Sequence, residues 1–259
     1  MISFLNREPL WISGLILVGL MSVLAMFGPS LVRRFVALER LSTNNEVAGF
    51  KFATMGVLYA VLLAFSVIVV WEKFSDADST VAKEAGAAAT LFHLSHGVGD
   101  KPGTALRAAL TKYLQTAISD EWPAMDRGHS SRSTQDALDA VYTTLLAFQS
   151  PERSDTALMS EIFYQLDVTT QARRARLVAA EGAVPAVVWA VLFGGAVVTI
   201  GFTFFFGTRN LRAQMLMTGL LSVLIFSELL IIVAIDRPFT GTVKVSPEAL
   251  TDVLADFGP

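Results

Sequence analysis

The chain has 259 residues, of which 53 % are hydrophobic and only 17 % charged, with a formal net charge of −3 and a mean hydropathy of +0.53. Soluble domains carry about a quarter charged residues, which excludes an ordinary soluble enzyme, and phosphate binding needs a basic surplus, which excludes a nucleic-acid partner. There are no cysteines, so disulfides, thiolate chemistry and cysteine-based metal sites are excluded as well.

The charge deficit is concentrated in four apolar runs, at about residues 10–32, 52–71, 184–206 and 215–235. Each has roughly 20 residues, the length a helix needs to cross about 30 Å of hydrocarbon. Lipid offers no hydrogen-bond partner to a peptide group, so each run is expected to be a helix. The first run is too long for a secretory signal core. It is followed by Gly28-Pro29-Ser30-Leu31-Val32-Arg33-Arg34 and not by a small-residue cleavage site. Trp11, Trp71 and Trp189 sit at run ends, where aromatic belts form.

The second run carries a stripe of small residues, Ala53, Gly56, Ala60 and Ala64, and the third carries Gly194 and Gly201. Small residues let helices approach closely where no hydrophobic force drives association. Packing within one subunit and packing around a symmetry axis, with the second span lining a pore, are both compatible with these stripes.

Between the second and third runs the sequence reads as soluble helix. Residues 76–97 continue the second run without a breaker, and 104–122 place Leu106, Leu110, Tyr113, Leu114 and Ile118 on one face. A further helix over 133–148 carries Leu138, Val141, Tyr142, Leu145 and Phe148, and a long one over 154–181 runs to Pro185. Breaks are expected at 99–103, 122–131 and 150–151. His93 and His96 lie three apart, but without a third ligand at a defined position they do not make a metal site. Arg173, Arg174 and Arg176 precede the third run. They read either as a solvated or headgroup-facing patch or as a mouth that attracts anions.

Phe202, Phe205 and Phe206 close the third run. They face lipid or form an apolar constriction that gates by dewetting. The fourth run contains Glu228 well inside it. An acid at such depth costs about 2.5–3.5 kcal/mol on insertion scales, so it normally faces protein or water. It lines an ion or proton path, with Tyr59, Phe65, Ser66 and Thr199 as further pathway residues, or it makes a structural hydrogen bond to Ser66, Tyr59 or Thr199. After Pro238, residues 246–257 form a short amphipathic helix with Leu250, Val253, Leu254 and Phe257 on its apolar side, expected to dock on a neighbour.

Four spans put both termini and residues 72–183 on one side. The short connections carry Arg33, Arg34, Arg40, Lys51, Arg209 and Arg212 against Glu39 and Glu46. The first helix usually dominates orientation, and only Arg7 precedes it. The short loops are therefore expected in the cytoplasm, and the termini and large domain outside the inner (plasma) membrane. The expectation is an all-α protein: residues 1–71 with two spans, 72–183 as a helical bundle continuous with the second and third spans, 184–236 with two more spans, and 237–259 as a tail. No catalytic signature is present, neither GxSxG, a phosphate loop nor HExxH. No enzyme activity, metal or cofactor is expected.

Two stretches are distinctive. One runs from Phe50-Lys51-Phe52-Ala53-Thr54-Met55-Gly56 through Tyr59 to Val70-Trp71-Glu72; the other is Asp236-Arg237-Pro238-Phe239-Thr240-Gly241, then Val243-Lys244-Val245-Ser246-Pro247. With the arginine-rich approach to the third span, they resemble the bestrophin-like membrane proteins of bacteria and plants. The resemblance implies a homo-oligomeric channel, tetramer or pentamer, with the second span at its axis, inorganic ions and the bilayer as partners, and anion selectivity. It also implies a cytoplasmic large domain, opposite to the loop charges. The sequence departs from bestrophins in lacking their neck motif and calcium clasp, since Glu248, Asp252 and Asp256 are helically spaced. A cation or proton channel using Glu228, and a non-conducting scaffold or sensor, are the alternatives.

Overall fold

The computed structural model of the chain describes residues 9–43, 45–147, 155–182 and 184–258, and every regular element among them is helical. The expected Phe148 and Arg7 lie outside these residues. Two compact units divide the chain.

The first unit comprises residues up to Glu72, with Ala183–Asp236 and Gly241–Val243. Four helices are long and apolar enough to span a bilayer. α1 (Leu10–Phe35) contains one π-helical turn at Leu15–Leu20. After the short α2 (Leu38–Thr43), α3 starts at Asn45 and runs unbroken to Leu94, beyond this unit. α8 (Ala186–Thr203) and α9 (Leu211–Ile235) complete the set. Glycine lets these helices meet. A Cβ at Gly28 would collide with the Phe204 ring, one at Gly195 with the Tyr59 ring, and one at Gly219 with Met26. The Tyr59 hydroxyl donates to the Leu192 carbonyl at 2.8 Å, which fixes the ring over Gly195.

The loops of this unit are tied by side chains. Asn45 and Gly207 exchange two hydrogen bonds, at 2.7 and 3.0 Å. Arg33 donates to the Thr208 carbonyl and to Gln214 Oε1, the latter at 2.7 Å, while Gln214 Nε2 donates to the Phe206 carbonyl at 2.7 Å. Trp11 and Trp71 are exposed, as a belt requires. Trp189 instead is buried and stacks on Phe193, with ring centroids 5.8 Å apart.

The second unit comprises Lys73–Gly182, Arg237–Thr240 and Lys244–Pro259. It holds the outer part of α3, α4 (Asp100–Thr116), α5 (Trp122–Asp126), α6 (Arg132–Leu146), α7 (Asp155–Ala179) and α10 (Glu248–Asp256). The break expected over 122–131 falls in the later part of that range, after Asp126. A π turn at Ala117–Glu121 joins α4 to α5, with the Trp122 N–H bonded to the Ala117 carbonyl. Pro123 then falls in the first turn of a new segment, where its missing N–H costs nothing. α7 does not run straight into the third span, because Gly182 turns at φ +98° and Pro185 starts α8. α10 docks within this unit. Leu250 is fully buried, and Phe257 stacks on Phe92 at 3.7 Å between centroids.

Overpacking a close approach costs typically about 1–3 kcal/mol. Gly195→Ala is therefore expected to lower the thermal unfolding midpoint in detergent by that equivalent, because the tethered Tyr59 ring has to move. Gly194→Ala, whose Cβ meets nothing within 4 Å, should leave the midpoint unchanged.

Candidate functional site

The residues singled out in the spans are not gathered into one cluster. Glu228 stands on the uncovered face of α9, in line with Met217, Leu220, Leu224 and Ile231. The structure forms no hydrogen bond between it and Tyr59, Ser66 or Thr199. Tyr59 donates to Leu192, Ser66 donates to the Leu62 carbonyl of its own helix at 2.8 Å, and Thr199 is buried. Glu228 is close enough to the Tyr59 hydroxyl for the two to interact electrostatically. The structural hydrogen bond offered for Glu228 is thus absent within the chain. Phe65 is exposed on α3.

Of the phenylalanines, Phe202 and Phe206 pack together with Phe52, at centroid distances of 5.7–5.9 Å, joining α3 to the end of α8. Phe205 is exposed. Ala53, Ala60 and Ala64 are exposed on α3, and a Cβ at Gly56, Gly194 or Gly201 would meet nothing within 4 Å. These small residues do not pack helices within the chain; Gly28, Gly195 and Gly219 do. The signal for Gly195 was its register with Leu192, Ala196 and Thr199, the buried face of α8.

Two of the three mouth arginines are not at a surface. Arg173 is 3 % exposed and Arg176 0 %, and both lie inside the second unit. Arg176 grips Glu84 with two hydrogen bonds, at 2.7 and 3.0 Å, and reaches Glu121 at 2.9 Å. Arg173 grips Glu121 at 2.6 and 3.0 Å and donates to Gln135 at 2.5 Å. The Tyr113 hydroxyl completes Glu84 at 2.6 Å, and the Trp122 ring lies 4.7 Å from the Arg176 guanidinium carbon. Burial, and then the Glu84 charge, push the Tyr113 phenol well above its ordinary range. Two carboxylates and two guanidiniums balance, so this is a closed structural lock with no charge left for an external anion. Arg174 alone of the three is exposed.

The lock was missed because three nearby arginines read as solvated. Register would have found it: Ile162, Leu166, Thr169, Arg173, Arg176 and Ala180 form one stripe at 3–4 spacing, which leaves Arg174 outside. Glu84 continues the stripe of Ala77, Val81, Ala88 and Leu91 in the same way. Among the described residues no group of three His, Asp or Glu side chains could hold a metal.

The family profile described as the bestrophin-like domain matches residues 19–250. No curated protein matches the chain. Solved structures of a bacterial bestrophin homologue from Klebsiella pneumoniae share the fold. One, carrying a single substitution, is 16 % identical with a TM-score of 0.68, over 94 % of this chain and 99 % of that one. Another is 17 % identical with a TM-score of 0.66, over 92 % and 96 %. A structure described only as a membrane protein with one substitution reaches a TM-score of 0.69 at 16 % identity, over 94 % and 98 %.

Removing one partner of a buried, hydrogen-bonded ion pair costs about 3–5 kcal/mol, because the opposite charge stays buried. Arg176→Ala is expected to destabilise the chain by that amount in denaturant unfolding, and the exposed Arg174→Ala to stay within about 0.5 kcal/mol of the parent.

Proposed function

Because the chain belongs to the bestrophin-like family, we propose that it is a homo-oligomeric ion channel, a tetramer or pentamer of the plasma membrane with α3 at the pore axis. It is an integral membrane protein of the bestrophin fold. The observation that carries the channel reading is the state of α3. Only 17 % of the residues in its apolar window are buried by the rest of the chain, against 50 % in α9. Ala53, Val57, Ala60 and Ala64 form one exposed stripe beside larger exposed residues such as Leu58, Phe65 and Ile68, and that stripe leaves room for other copies around an axis. Family resemblance implies anion selectivity.

Glu228 favours a second reading, a cation or proton path. A carboxylate on the uncovered face of a span is stable only against another subunit or water. Neighbouring copies, or a water-filled path between them, would supply that cover. In both readings the chain acts by binding and passing ions and not by catalysis.

The loop charges favour a cytoplasmic location for the short connections, with the large helical unit outside.

Three outcomes are expected. Purified protein fused into planar bilayers should conduct, and a silent bilayer from a folded oligomer would favour a scaffold. Glu228→Gln should change the reversal potential or the pH dependence of that current; an unaltered current would remove Glu228 from the path. The chain has no cysteines, so single replacements report cleanly on sidedness. Gln115→Cys should react with an impermeant maleimide in intact cells and Ser42→Cys only after permeabilisation. The reverse pattern would put the large unit in the cytoplasm.

A further inference from the structure

One cavity of the second unit borders the arginine lock through Met125, whose sulfur accepts from Arg176, but draws its polar lining from residues outside the lock. It has a volume of about 570 Å³, within the ~300–1,000 Å³ of small-molecule sites. Arg237, Glu181, His129 and Ser130 supply its polar lining, and Leu177 and Val178 an apolar wall. The geometry points to a phospholipid with a primary ammonium, a phosphatidylethanolamine headgroup, as the occupant of this cavity.

Position is the first argument. Arg237 follows Ile235, the last residue of the fourth span, by two positions. That is at most about 7 Å of chain, within the headgroup layer that adds roughly 5–7 Å to each side of the hydrocarbon. Glu181 lies five positions before Ala186, where the third span begins. Two walls of the cavity are therefore tethered to span ends. Val178 is 69 % exposed near the end of α7, an apolar surface that an acyl chain would cover.

Charge is the second. Arg237 and Glu181 line one cavity, yet the structure forms no ion pair between them, and nearby Asp126 is engaged by Lys244 at 3.7 Å. A simple anion would meet Glu181, and a simple cation would meet Arg237. A headgroup bearing both charges satisfies both: its phosphate takes N–H donors from Arg237 and His129 and the hydroxyl of Ser130, and its ammonium donates to Glu181. Quaternary ammonium groups are held by aromatic cages. No Phe, Tyr or Trp lines this cavity, so the carboxylate selects an ammonium that carries N–H bonds.

The test is native mass spectrometry of the full chain in detergent, offered equal dioleoyl phosphatidylethanolamine, phosphatidylcholine and phosphatidylglycerol. Retention of phosphatidylethanolamine above the other two is expected. Glu181→Gln should erase its advantage over phosphatidylcholine, and Arg237→Gln should abolish retention of both. His129→Ala, in an exposed loop, should weaken retention without altering the unfolding midpoint, which covers the case of a misfolded Arg237 variant. Equal retention of the three lipids, a preference for phosphatidylglycerol, or wild-type retention by the folded variants overturns the assignment. Full displacement by soluble phosphoethanolamine at equal concentration would assign the site to a free small molecule and overturn the lipid.

Discussion

Hydrocarbon offers a peptide group nothing to bond to, and the membrane unit is organised by that one deficit. Within the spans, helices satisfy the backbone internally. Where helices end, side chains take over: Asn45 holds both the N–H and the carbonyl of Gly207, Gln214 holds the Phe206 carbonyl, and Asp236 accepts from the Val184 N–H. Arg33 then ties Gln214 and Thr208 together. The same constraint makes Glu228 conspicuous. It is the one charge well inside an apolar run, and it stands exposed on α9.

The helical unit solves a different problem. Its packing is apolar over most of its extent, from Leu91 and Leu106 to Ile162 and Leu166, yet its interior also holds four charges. Such a cluster adds little net stability over a well-packed apolar substitute, because desolvation opposes the attraction. What it adds is register. Glu84, Glu121, Arg173 and Arg176 meet only when α3, the π turn, and α7 stand in one rotational setting. A one-residue slip of any of them buries an unpaired charge. Glu121 ends the π turn, and it is buried together with Tyr113 and Trp122 of the flanking segments.

The spans, the long continuation of the second one, and the amphipathic helices were legible because each rests on a pattern confined to about 20 neighbouring residues. Glu228 was legible as an anomaly for the same reason. Its exposure was not, since that depends on where α1, α3 and α8 lie. Arg173 and Arg176 failed in the opposite sense. Their local pattern, three cations in four positions, pointed to water, and the partners that reverse it stand 52 and 92 residues away. The packing glycines show an intermediate case. Gly194 and Gly195 are chemically identical neighbours, and only the rotational phase of α8 decides which one meets Tyr59.

The arginine lock also sets an order on biosynthesis. Glu84 and Arg176 are 92 residues apart, roughly 5–18 s of translation at about 5–20 residues per second. Until Arg173 and Arg176 are made, Glu84 and then Glu121 stand without their guanidinium partners. The partners emerge just before the third span. Closure of the bundle and entry of the second pair of spans into the membrane are thereby brought together in time, and a chain that stalls between them exposes two carboxylates to any quality-control machinery that reads unpaired charge.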